Sequence, residues 1–269
     1  MKKLLAIAAI VASLLLTSGS AALAQTGDAQ PDNGLHPNVG AFLLPRVLDG
    51  SLRIICSGTL VSPTVFMTAS HCTAFALSLG HSDAYITFDP NFGTDPGHNI
   101  FSTPYHGTIH HNPAYKPPYH ADVSVIVLDA AVTGITPAKI APLGFLDGLR
   151  NAGTIKTTEY LNVGYGSAEQ RIVPTVGPTF PFDGIRKWTI SGFYALDPQY
   201  VHLNQNLHQA FSGTGYGDSG GPTFVQTTNG PVIVSVVSTG DVPCWATSVN
   251  QRVDTKASQD FLAQFLSLN

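Results

Sequence analysis

Gly217-Asp218-Ser219-Gly220-Gly221-Pro222 is the stretch whose reading decides the architecture. It contains G-x-S-x-G, the pattern of a nucleophile elbow, in which a serine sits on a sharp turn between a strand and a helix and a histidine follows later in the chain. Neither condition is met. Pro222 and the β-branched residues beyond it oppose a helix, and no histidine follows Ser219. A serine between glycines is by itself most often a turn, so any chemistry must come from partners placed upstream.

Working outward, short β-branched or apolar runs recur between turn clusters: Leu52 to Val61, Val65 to Ala69, Tyr85 to Phe88, Val123 to Leu128, Tyr160 to Val163, Phe193 to Leu196 and Val232 to Ser238. Such spacing signals a sandwich or barrels. The run Val123 to Leu128 is nearly all apolar, as in a strand buried on both faces, and its shortness favours strand over helix. Among 269 residues there are 26 Gly and 19 Pro and only 11 % charged side chains, which excludes coiled coils and long helical bundles. Pro90 to Ala121 and Ile140 to Thr154 read as irregular, with a domain boundary near Gly148. Only the end looks helical: Asp254 and Thr255 can cap, and Phe261, Leu262, Phe265 and Leu266 fall on one face. Lys and Arg number 13 against 17 Asp and Glu, so there is no positive field to hold nucleic acid.

Lys2 and Lys3 precede an apolar run from Leu4 to Leu16 and a small-residue stretch ending Ala22-Leu23-Ala24, which reads as a signal peptide over residues 1–24. The run is shorter than the roughly 20 residues of a membrane span, so a mature chain without a span is expected, secreted to an extracellular or periplasmic space. Residues 25–35 have no apolar period and read as an arm or pro-segment. Three cysteines in an oxidising compartment permit one bridge and leave one thiol. Cys56 and Cys72 lie 16 apart, and closing that loop is worth about 3 kcal/mol on the chain-entropy model; Cys244 is the odd one. There is no C-x-x-C or H-E-x-x-H, so no metal site is expected, and His106, His110, His111 and His120 read as surface or loop residues.

With its wider context, G-D-S-G-G-P resembles the nucleophile loop of the chymotrypsin/trypsin-like serine protease family. Thr68-Ala69-Ser70-His71-Cys72 resembles that family's histidine box, Cys56 to Val61 the strand carrying the bridging cysteine, and Ala121-Asp122-Val123-Ser124 the aspartate strand. Val163 to Gly166 and Ser238-Thr239-Gly240 extend the resemblance, which covers roughly His36 to Asn269. A serine hydroxyl is a weak nucleophile at neutral pH and needs a base; an imidazole titrating near pH 6.5 both accepts and returns a proton, and a carboxylate fixes its tautomer.

The resemblance implies an all-β fold of two antiparallel six-stranded barrels, residues 36–148 and 149–269, the second ending in an α-helix. It implies a catalytic triad of His71, Asp122 and Ser219, an oxyanion hole from the N–H groups of Gly217 and Ser219, and a Cys56–Cys72 disulfide. It places Gly213 at the base of the substrate pocket, with Thr214, Tyr216, Ser238, Thr239 and Gly240 as walls and Ser248 on the far side. No carboxylate occupies that base, so an apolar or neutral side chain before the cleaved bond is expected rather than a basic one. Protein or peptide substrates, no cofactor and a monomer follow.

Two departures stand out. The family's pocket disulfide corresponds to Gly215 and Cys244, so it cannot form. No Ile or Val between Ala24 and Leu35 offers the usual new amino terminus to Asp218, which leaves either the amine of Gln25, an internal cation or another hydrogen-bond donor for that role, or an imperfectly formed oxyanion hole. Two alternatives share the fold: a secreted binding or adhesion protein with little turnover, and an esterase using the same triad.

Overall fold

The computed structural model describes residues 27–92, 104–167, 171–173, 177–180 and 182–268. The expected signal peptide and the amine of Gln25 lie outside them. Strands β1 (Val39–Pro45), β2 (Leu52–Ser62), β3 (Val65–Thr68), β4 (Asp83–Thr87), β5 (Tyr105–His110) and β6 (Ser124–Leu128) close into a barrel in the order β1-β2-β3-β6-β5-β4. Closure falls to β1: Ala41, Phe42 and Leu43 pair with Thr87, Ile86 and Tyr85 on one side while the strand pairs with β2 on the other. Closure leaves the barrel without a free edge.

Strands β7 (Tyr160–Gly164), β8 (Lys187–Leu196), β9 (Tyr200–Asn204), β10 (Pro222–Thr227), β11 (Gly230–Gly240) and β12 (Thr247–Arg252) repeat that order as β7-β8-β9-β12-β11-β10, and β10 closes on β7. The fold is therefore two closed six-stranded antiparallel barrels, as the resemblance implied. Phe42, Leu60, Phe66, Ile86 and Ile126 fill the first barrel, and Tyr160, Val201, Leu203 and Val234 the second. A further cluster joins Val39, Met67 and Val125 of the first barrel to Val163, Phe224 and Val236 of the second. Each such side chain, fully buried, contributes roughly 1.5–3 kcal/mol, so the barrels are welded by apolar packing.

Several elements differ from expectation. No strand is read from the sequence over β5, β9, β10 or β12, and for β1 only His36 to Gly40 resembles the family's first barrel strand. Strand β12 is disguised by composition, since Ser248, Asn250, Gln251 and Arg252 are buried polar residues with partners inside the barrel wall. The described residues hold three α-helices rather than one: α1 (Ser70–Ser78), α2 (Phe145–Asn151) and α3 (Lys256–Leu262). Thr255 caps α3 by accepting from Ser258 N, and Phe261 and Leu262 enter the inter-barrel cluster. Asp254 acts elsewhere, accepting from Leu146 N in the first turn of α2 at 2.8 Å.

The arm is part of the body. Gln30 and Pro31 pair with Trp188 and Lys187 of β8, and Asp32 is fully buried against Arg186. The Arg186 guanidinium also donates to the carbonyls of Val39 (2.8 Å) and Phe88 (3.0 Å), so one side chain ties the arm and both barrels together.

Candidate active site

His71 lies in the first turn of α1, whose preceding residue Ala69 supplies no side-chain cap. The missing cap comes from across the barrel. Asp122 Oδ1 accepts the His71 backbone N–H at 2.7 Å while Oδ2 meets His71 Nδ1 at 2.8 Å, so one carboxylate fixes both the helix end and the ring. Asp122 is fully buried and follows Ala121, whose φ of 53° turns the chain just before β6. The Ser238 hydroxyl donates to Asp122 Oδ2 as well. Ser238 sits where the β11–β12 register shifts between Val237 and Thr239, a bulge that re-aims a side chain. Gln251 Oε1 accepts Asp122 N at 3.1 Å.

Ser219 stands on the loop entering β10. Its carbonyl accepts from Ser57 N at 2.8 Å, so the first barrel holds the loop of the second. Cys56 and Cys72 form the disulfide, and Cys72 Sγ lies 3.6 Å from His71 Nε2 and 3.8 Å from the Ser219 carbonyl oxygen. Histidine and serine thus flank one bridge and line one cleft of about 330 Å³.

The peptide groups around Ser219 are oriented by their carbonyls. Tyr216 C=O accepts from Ser167 N at 2.6 Å and Asp218 C=O from Gly221 N at 2.8 Å. In a trans peptide the following N–H points the opposite way, which turns the N–H groups of Gly217 and Ser219 away from those partners. Neither donates to a backbone or side-chain acceptor among the described residues, whereas those of Asp218, Gly220 and Gly221 do. Gly217 adopts φ 99°, a conformation that a side chain would strain. The Ser57 hydroxyl donates to Gly217 O (2.9 Å) and accepts from Tyr165 N (3.0 Å), a support that no motif announced. Asp218 is fully buried, and its oxygens accept from the backbone N–H groups of Gly166 and Gly215, each at 2.8 Å.

Thr214, Tyr216, Ser238, Thr239 and Gly240 line the cleft with His71 and Ser219. Gly213 does not. The side chain of Gln205 covers it so closely that a Cβ on Gly213 would meet Gln205 Oε1 at 2.1 Å, and Gln205 takes its place on the wall. Ser248 lies behind Thr214, with the two hydroxyl oxygens 2.8 Å apart. Tyr119, whose ring meets His71 edge-on at 5.6 Å, is a further wall residue that sequence reasoning missed. Cys244 is a buried free thiol, and no cysteine would fit opposite it, because a Cβ at Gly215 meets Ser167 O at 2.2 Å. The Tyr216 hydroxyl instead spans the walls, donating to Val242 O at 3.2 Å.

Among the histidines, His120 is exposed, His106 lies half open between Asp83 and Asp129, and His111 is half-buried in the loop that follows β5. It bonds Thr73 through Nδ1 at 2.8 Å, and burial pushes its pKa down against the raising effect of Asp122.

A family model described as Trypsin matches residues 37–259. The chain belongs to the trypsin family. This trypsin-family chain carries a serine-peptidase domain, of a family that acts on proteins, across most of its length. No curated protein matches it. No helix among the described residues of the trypsin-family chain is long and apolar enough to cross a membrane.

Proposed function

We propose that the chain is an exported, monomeric serine endopeptidase that cuts peptide bonds through an acyl-enzyme on Ser219, without a cofactor. The observation that carries this reading is the His71–Asp122–Ser238 chain of hydrogen bonds set beside Ser219 in one cleft. As Ser219 Oγ attacks the scissile carbonyl, His71 Nε2 takes its proton, and Asp122 at Nδ1 holds the tautomer and stabilises the imidazolium. The unspent N–H groups of Gly217 and Ser219 receive the oxyanion, each such donor being worth on the order of 3 kcal/mol in the transition state. Collapse of the tetrahedral intermediate breaks the C–N bond as His71 returns the proton to the leaving amine. Water then attacks the ester with His71 again as base, releasing the acid and Ser219.

Thr214, Tyr216 and Ser238 to Gly240 hold the substrate, which favours a neutral side chain before the cleaved bond over a basic one. The mature protein, incubated with a fluorophosphonate probe, should label on Ser219, with Ser219→Ala blank. Absence of labelling on folded protein would favour the adhesion reading. Rapid ester turnover with no cleavage of any protein would favour the esterase.

A further inference from the structure

Resting on the peptidase reading, we infer that Gln205 and Thr214 select a carboxamide side chain, glutamine or asparagine, as the residue before the cleaved bond. Gln205 is 1 % exposed, and its Oε1 accepts the Thr214 backbone N–H at 3.0 Å. A backbone N–H only donates, so the amide is fixed with its oxygen toward Thr214 and its NH₂ turned away. That NH₂ has no acceptor among the described residues, and the side chain lines the cleft. The amide nitrogen is not among the buried unpartnered atoms, so it is an accessible donor on the cleft wall that the described residues leave for what enters.

The proton on Thr214 is fixed by a longer argument. Ser212 C=O only accepts, so Ser191 Oγ donates to it at 2.7 Å and must accept from Asn162 Nδ2 at 2.8 Å. Asn162 Oδ1 then accepts from Thr223 Oγ1 at 2.9 Å, which leaves Thr223 to accept from Asn250 Nδ2 at 3.0 Å. Asn250 Oδ1 accepts from Ser248 Oγ at 2.7 Å, so Ser248 has spent its hydrogen and accepts from Thr214 Oγ1 at 2.8 Å. Thr214 therefore donates inward and turns acceptor capacity to the cleft. The wall offers one neutral donor and one neutral acceptor, held by a wired network. A primary amide, with one acceptor and one donor, is their complement.

Rival side chains match less well. A leucine or methionine leaves the Gln205 NH₂ unpaired, the case in which polar sites discriminate most strongly. Glutamate supplies acceptors only and confronts the Thr214 lone pairs. The one carboxylate on the wall, Asp241, is turned onto its own loop, accepting from the N–H groups of Trp245, Ala246 and Thr247 at 2.8, 3.0 and 2.6 Å. The Cys244 thiol is neutral at physiological pH, since burial raises its pKa to about 12.

The test is a peptide library cut by the mature protein and read by mass spectrometry, followed by kcat/KM on matched peptides with Gln, Leu, Glu or Lys before the scissile bond. Gln or Asn should exceed the others by about 10- to 100-fold. Gln205→Glu should move the preference toward Lys and Arg, and Thr214→Val should narrow the gap between Gln and Leu about tenfold; thermal melts report whether each variant folds. Wild-type protein that labels with fluorophosphonate yet prefers Leu, Phe, Glu or Lys overturns the carboxamide assignment and leaves the peptidase standing. Folded protein that neither labels nor cuts overturns both.

Discussion

Replacing Arg186 by methionine keeps the aliphatic stem and deletes a guanidinium that makes every polar contact inside the protein. Asp32 and Arg186 are 0 % and 1 % exposed, so the substitution strands a carboxylate in the interior rather than returning it to water. Breaking a buried pair in this way costs about 3–5 kcal/mol, and the carbonyls of Val39 and Phe88 lose their donor too. His36 still faces Asp32, which sets the expectation near the lower end, about 3 kcal/mol, or on the order of 10 °C in Tm for a protein of this size. The acid limb adds a check on sign. Burial alone would raise the Asp32 pKa, but the His36 hydrogen bond and the Arg186 charge outweigh it, so the folded value is lowered. Its stabilisation is therefore present above the unfolded value near 3.8 and lost as pH falls through the folded one. In Arg186→Met the burial is no longer balanced, and acid unfolding should begin at higher pH. Urea unfolding followed by the fluorescence of Trp188, which adjoins the site in β8, measures both effects. Asp32→Asn combined with Arg186→Met should recover part of the loss, because the stranded charge is gone. A single-variant cost below about 1 kcal/mol, or a double variant as unstable as the sum of the singles, would refute the latch.

Ser57→Ala removes the hydroxyl that holds Gly217 O and Tyr165 N, so kcat should fall on the order of tenfold with KM little changed; an unchanged kcat would mean the loop holds itself. Cys244, with its thiol pushed up to about 12 by burial, should resist iodoacetamide at pH 8 until the protein unfolds, and labelling as fast as in the denatured chain would contradict that. The hydrogen bonds to Asp129 and then Asp83 raise the His106 pKa above 6.5, so its stabilisation is full below 6.5 and disappears as pH rises through the folded value. Because the trio is half open, the effect should be small and weakened by salt; a ring titrating at or below 6.5 by NMR would refute the pairing.

The family and the candidate-site motifs were legible because short local stretches carry them. Gly217 to Pro222, Thr68 to Cys72 and the Asp122 strand each need particular residues in contiguous order, since a sharp turn or a helix start is specified by its neighbours. The paired strand order of the two barrels was not legible, since β7 to β12 repeat the topology of β1 to β6 without repeating their residues. Helix α1 was hidden as well, its apolar residues following no clear face because His71 and Cys72 are placed for the cleft and the disulfide.

What the sequence determined by itself is the family, with its barrel architecture, and the motifs that carry His71, Asp122 and Ser219. Tertiary structure alone decided what surrounds them: Gln205 over Gly213, Ser57 beneath Gly217, Asp122 capping the helix that carries His71. The last two join residues far apart in the chain, Ser57 and Gly217 by 160 positions and His71 and Asp122 by 51. Their hydrogen bonds depend on barrel closure and strand register, which no local pattern encodes.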